Sequence, residues 1–137
     1  MLFFILNSVF SNSVTWPEFM GPKRNGLSSE INIFNKKNNT VLQAKWVKAL
    51  GSGYSGISFY GEIAITMHSD HKFDYVKALN TNIGEQIWQY QIGSTYKGHG
   101  NSQDGLLSTP IVDTKQVYCL SPFGVLFSFE HSTGQLK

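Results

Sequence analysis

The chain has 137 residues, of which 41% are hydrophobic, 14% aromatic and 15% charged, with a formal net charge of +2. This length suits one ordinary domain, and abundant aromatics with sparse charge exclude an intrinsically disordered chain. The densest basic spots, Lys23-Arg24 and Lys36-Lys37, do not form the clustered basic face of a nucleic-acid-binding protein, so no nucleic-acid partner is expected.

The first stretch, "MLFFILNSVFSNS" (1–13), carries eight apolar residues, too few to span a bilayer. It fits the apolar region of a signal peptide, with Ser11 and Ser13 placed for cleavage near Val14, although the basic n-region is missing. Export to a periplasmic or extracellular compartment is the expectation, with no integral membrane span. From 14 to 40 the chain is rich in turn formers, punctuated by Pro17, Gly21, Pro22 and Gly26, and reads as an ordered lead-in anchored by Trp16 and Phe19.

Strands are expected from there on. "VLQAKWVKAL" (41–50) reads as a strand ending near Trp46-Val47, and "GISFYG" (56–61) as a short one between glycines. "EIAITMHS" (62–69) alternates, placing Ile63, Ile65 and Met67 on one face and Glu62, Thr66 and His68 on the other. "DYVKALN" (74–80) and "EQIWQYQI" (85–92) follow, the latter with Trp88, Tyr90 and Ile92 on one face. After the polar, Gly-rich stretch 93–105 come "STPIVD" (108–113), "QVYCLS" (116–121), "VLFSFE" (125–130) and a further strand starting at Gln135. Nothing reads as a helix, so the fold class is all-β.

The two halves repeat each other. Gly84 matches Gly134, Leu79 matches Phe129 and Val76 matches Leu126 (134 − 84 = 50). Upstream, Ile63 matches Val117 and Ile57 matches Ile111 (117 − 63 = 54). The difference assigns about four extra residues to "HSDHKF" in the first copy, where the second has "PFG". A period near 50 built from four antiparallel strands is that of a propeller blade. The expected organisation is a partial β-propeller over 41–137, with one blade at about 56–92 and a second, truncated, at about 108–137. In both "NTNIGEQIW" and "EHSTGQLK" a Gly follows the strand-closing polar residue by four positions, where a hairpin loop needs positive φ.

These residues carry a resemblance. The pattern V-x-A-L-(N/D)-x-x-x-G-x-x-x-W, preceded by S-T-P-I-V-D-x-x-x-V-Y, resembles the repeat of the pyrroloquinoline-quinone-like (PQQ-like, quinoprotein-type) β-propellers. The opener "WPEFMGPKRNGLSSE" and the stretch "KGHGNSQDGLLSTP" are similar to segments of secreted bacterial members. On this resemblance the repeat signature comprises Trp46, Leu79, Gly84, Trp88, Pro110, Val117, Tyr118, Phe129 and Gly134; Asn80 and Ile83 depart from the family's usual Asp and Thr. Family propellers close with about six to eight blades, so the resemblance implies that this chain is a fragment, with the next tryptophan just beyond Lys137.

Candidate chemistry is sparse. His68, Asp70, His71 and Asp74 form an attractive metal-ligand cluster, yet their place in a hairpin loop favours a solvated tip. His99, Asn101 and Asp104 lie in the Gly-rich stretch between blades and form a possible rim loop. "GSGYSG" (51–56) lacks the helix that a phosphate cradle needs. Asn38-Asn39-Thr40 fits the glycosylation sequon. The lone Cys119 reads as a small buried hydrophobe.

The functional expectation is a non-catalytic exported scaffold, with no catalytic, cofactor-binding or metal-binding residue assigned and an unidentified protein or other partner at the propeller rim. Two alternatives stand beside it. One is the N-terminal part of a quinoprotein dehydrogenase, for which the resemblance implies PQQ, calcium and an adjacent-cysteine disulfide. The other is an outer-membrane assembly scaffold similar to the lipoprotein propeller, although positions 1–20 hold no lipobox cysteine.

Overall fold

The computed structural model describes residues 15–29, 44–100 and 104–137, and the signal-peptide and sequon segments lie outside them. Among the described residues there is no helix. Seven strands run in order: β1 (Ser58–Tyr60), β2 (Ile63–Ser69), β3 (Phe73–Asn80), β4 (Gln86–Ser94), β5 (Ile111–Val112), β6 (Gln116–Leu120) and β7 (Leu126–Glu130). They form two antiparallel meanders, a four-stranded sheet β1-β2-β3-β4 and a three-stranded sheet β5-β6-β7. A bridge from Leu136 to Phe129 begins a fourth position beside β7. The chain is all-β, and its two consecutive modules have the form of β-propeller blades.

The ladders fix the correspondence between modules. Phe59 pairs with Ala64 as Val112 pairs with Val117, and Ala64 faces Leu79 as Val117 faces Phe129. Ala64, not Ile63, therefore stands in the place of Val117, an offset of 53 (117 − 64). The third-strand offset is 50, since the bridge Phe129–Leu136 repeats the pair Leu79–Gln86. The first module thus has three extra residues (53 − 50) in its central hairpin, one fewer than the sequence match indicates. Such a slip reverses the faces: Ile65 and Met67 point to the neighbouring sheet, and Ala64, Thr66 and His68 point away from it.

Between the sheets lies one core. Ile65, Val76, Ala78, Leu106, Val117 and Phe129 are fully buried, with Trp88, Met67, Val112 and Cys119 nearly so. Its centre is aromatic: the Phe129 ring sits 4.9 Å from Tyr90, 5.8 Å from Trp88 and 6.0 Å from Phe127. These are tilted and stacked contacts of the favourable kind. Of strands in different sheets, β1 and β5 come nearest each other, forming the inner edge of the pair. The lead-in crosses this inner edge, Trp16 exchanging two backbone hydrogen bonds with Phe59 and the Pro17 carbonyl accepting from Val112.

Trp88 joins the modules. A register shift between Ala78 and Leu79 leaves Ile87 unpaired and sets Trp88 opposite Ala78. Its Nε1 donates to the His131 carbonyl at 2.9 Å. Its ring lies over Gly134, where a Cβ would come within 2.5 Å of Trp88 Cδ2, and Gly134 has φ of +71°. Trp46 repeats this on the first module: Nε1 donates to the Thr81 carbonyl at 2.9 Å, and a Cβ on Gly84 (φ +72°) would lie 2.6 Å from the indole. The segment around Trp46 is not the strand that its sequence suggests, however, because 44–50 pairs with no sheet among the described residues. Among the described residues no strand runs beside it.

Trp88→Ala should lower stability by about 3–5 kcal/mol, the usual loss for a buried tryptophan. Gly134→Ala should lower it by about 2–4 kcal/mol through backbone strain and overpacking. Combined, the two should cost clearly less than their sum, because removing the indole leaves room for the new methyl. Urea unfolding at one fixed protein concentration measures all three.

Candidate binding surface

One end of the modules gathers the central hairpins and the connection between the sheets. The corresponding connection before β1 shows how little chain such a crossing requires. Ser52 takes the place of Ser94 and Ser58 that of Ile111, so residues 53–57 do in five positions what 95–110 do in sixteen. The eleven added residues (16 − 5) include the possible rim loop, of which Asn101 lies outside the described residues.

This connection is folded back on itself and tied down at its base. Ser69 Oγ and Thr95 Oγ1 share a buried hydrogen bond of 2.7 Å, and Asp74 Oδ2 accepts from the Tyr96 backbone N–H at 3.1 Å. Gly105 donates to the Tyr96 carbonyl, closing the loop, while the fully buried Leu106 accepts through its carbonyl from Tyr54. Gly105 has φ of +112°, and a Cβ there would meet the Ser52 carbonyl oxygen at 2.9 Å. Within the loop Asp104 accepts from Lys97 Nζ at 2.6 Å and from the Gly98 N–H at 3.1 Å. The Lys97 ammonium and the Gly98 amide hold its carboxyl below the ordinary range. Tyr96 meets both the His99 ring and the Phe123 ring edge-on at 5.8 Å, linking the loop to the turn between β6 and β7. His99 and Lys97 face solvent, and Phe123 is 64% exposed.

The four residues that resemble a metal cluster separate. Asp70 caps its own turn, accepting from the Lys72 and Phe73 N–H groups and from the Tyr75 hydroxyl. His71 is exposed at φ 77°. His68 and Asp74 are buried, contrary to the solvated tip expected from the sequence, because the 51–56 segment and the long connection cover the hairpin base. His68 stacks on Tyr75 at 5.5 Å. Burial, aided by nearby Lys77, lowers its pKa against the pull of Asp70 and Asp74. Burial raises the carboxyl of Asp74, which accepts from Tyr96 on one oxygen and leaves the other without a partner. His131, buried under Tyr60, is likewise lowered by burial, with Asp113 opposing. The Cys119 thiol, enclosed in the core, is pushed up to about 12, which keeps it unreactive.

Among the described residues no three His, Cys, Asp or Glu side chains converge on a metal position. Asp70, Asp104 and Asp113 each spend their oxygens on their own turns or loops. Cys119 is buried and free. A groove of about 390 Å³ opens beside the lead-in, lined by Glu18, Phe19, Tyr54, Leu107, Thr109 and Ile111. The signature residues fall on the modules: Leu79 and Phe129 on third strands, Val117 and Tyr118 on β6, and Pro110 buried where its carbonyl accepts from Ser58 Oγ. Sequence reading misses one repeat, "WVKALGS" (46–52), which matches "WQYQIGS" (88–94) at Trp, Gly, Ser and an aliphatic position. Searches against protein-family models and against curated proteins return no match to this chain.

A histidine whose pKa falls on folding leaves the native state with fewer protons than the unfolded one. Its contribution is complete above the ordinary value of 6.5 and is lost as pH falls below it. Asp74, raised by burial, acts oppositely, losing stability as pH climbs from 3.8 through its raised value. Melting temperature should therefore drop between pH 7.5 and 5 in this protein. His68→Gln and His131→Gln should each flatten that drop, as read by calorimetry across the series.

Proposed function

We propose that this chain belongs to an exported, non-catalytic β-propeller of the PQQ-like type that presents one rim to a partner. The observation that supports this most is the connection between the modules. It exceeds its counterpart by eleven residues that the crossing does not need, and it is pinned at its base while offering Lys97 and His99 outward beside the exposed Phe123 of the β6–β7 turn. Surface loops held by a rigid scaffold are where recognition residues concentrate. Buried groups with reactive potential are engaged in packing: His68 against Tyr75, Asp74 under the loop, Cys119 in the core. Residues 1–13 supply the argument for export, and no helix among the described residues is long and apolar enough to cross a membrane.

Replacing 97–104 with a short Gly-Ser bridge should leave the unfolding transition nearly unchanged and abolish capture of the partner by site-specific photocrosslinking from the exposed, neighbouring position 123. Crosslinking that survives the replacement would place recognition elsewhere. Added quinone with calcium should separate from the protein on gel filtration; co-elution of its absorbance would favour the dehydrogenase reading instead.

A further inference from the structure

We infer that the first module holds a small tetrahedral oxyanion of the phosphate kind, bound by Lys48, Lys77, Gln89 and the Nε2–H of His68. The site lies on the face of the β1-β2-β3-β4 sheet turned away from the second module, apart from the connection between the modules.

Two matching contacts differ there. Trp46 and Trp88 seat on Gly84 and Gly134, and a Gly-Ser pair follows each at the same spacing, so Lys48 stands where Tyr90 stands. The third strands correspond at an offset of 50 (127 − 77), which puts Lys77 in the place of Phe127. Between the modules Tyr90 meets Phe127 with ring centroids 6.5 Å apart. On the far face of the first module the same contact brings two ammonium groups together, and like charges so placed repel. Partial burial, with repulsion from Lys48, lowers the Lys77 pKa. Neither lysine forms an ion pair among the described residues.

A buried donor stands beside this pair. Thr66 faces Lys77 and His68 faces Tyr75 across the β2–β3 ladder, which makes His68 a diagonal neighbour of Lys77. His68 is only 7% exposed. Its Nδ1 accepts from the Gly51 N–H at 3.4 Å, which leaves the ring proton on Nε2. That N–H is buried and has no hydrogen-bond partner among the described residues. Orphaned donors of this kind are rare in folded proteins and costly. Gln89, opposite Lys77 on β4, holds its amide beside the same imidazole but outside hydrogen-bond geometry with Nε2. The carboxylates that His68 senses are engaged elsewhere. Asp70 accepts from the Lys72 and Phe73 amides, and Asp74 accepts from Tyr96 on the opposite face of the sheet.

Two ammonium groups, an imidazole N–H and a side-chain amide thus lie together, with no carboxylate among them. They come from four elements: the 44–52 segment, β2, β3 and β4. Donors from so many directions exceed what the two oxygens of a carboxylate can accept and suit a tetrahedral oxyanion. Such an anion offsets the repulsion between Lys48 and Lys77 and supplies the acceptor that Nε2 lacks.

The full chain should melt at a higher temperature in sodium phosphate than in sodium chloride of equal ionic strength, and the rise should saturate with phosphate. Lys48→Met, at an exposed position, and Lys77→Met keep the aliphatic stem and remove the charge. Each should weaken half-saturation about ten-fold, the usual worth of a charge-assisted hydrogen bond. Lys23→Met, in the lead-in, should leave the response as it is in the parent. In nitrogen NMR of the histidine-labelled parent, the His68 Nε2 resonance should move along the same phosphate titration. In Lys48→Met it should move only at higher phosphate. An equal rise in the parent and both variants would mark the general stabilising action of phosphate on folded chains and overturn the inference. It would be overturned as well by a parent that phosphate and chloride affect alike. A His68 resonance unmoved by phosphate, or a Lys23→Met response weakened as much as that of Lys48→Met, would also sink it.

Discussion

The seating of an indole on a glycine holds this molecule together. Trp88 leaves the outer strand of the first module, crosses to the second, and fills the space above Gly134 while donating to the His131 carbonyl. Neither side works alone. Only glycine both adopts φ near +71° without strain and leaves the ring its room. Only tryptophan offers so large an apolar plate with a donor at its edge. The bulge at Ile87 completes the arrangement by turning Trp88 onto the face where the next module waits.

From that contact the order of the rest follows. Once the second module is docked, Phe129 lies among Trp88, Tyr90 and Phe127, and the β2 and β3 residues facing it lose their solvent. The connection between modules must then span from the end of β4 to the start of β5, and its surplus length is turned into a folded loop. The polar cluster beneath, Ser69, Asp74 and Thr95, is the anchor of that loop. Burying Asp74 there raises its carboxyl, a cost partly offset by the Tyr96 amide.

Much of the architecture was legible in the residues. Alternation in β2, the shared face of Trp88, Tyr90 and Ile92, and the two Gly turns identified an all-β repeat without reference to coordinates. The register was legible only to within one residue: an alignment of Ile63 with Val117 is plausible by hydrophobicity, and only the ladder shows that Ala64 is the true counterpart. His68 and Asp74 looked like a solvated hairpin tip because alternation describes one sheet in isolation. A second layer of chain, 51–56 and 95–105, covers the face that alternation leaves to water.

By itself, the sequence determined the period, the strand-forming stretches and the glycine positions, since these are local matters of side-chain alternation and permitted φ. The tertiary structure decided which residues are buried on the second face, how the connection between the modules is tied, and that the Trp46 segment joins no sheet among the described residues. Those are contacts between residues tens of positions apart. Burial and strand pairing depend on what arrives from elsewhere in the chain, and no local pattern records it.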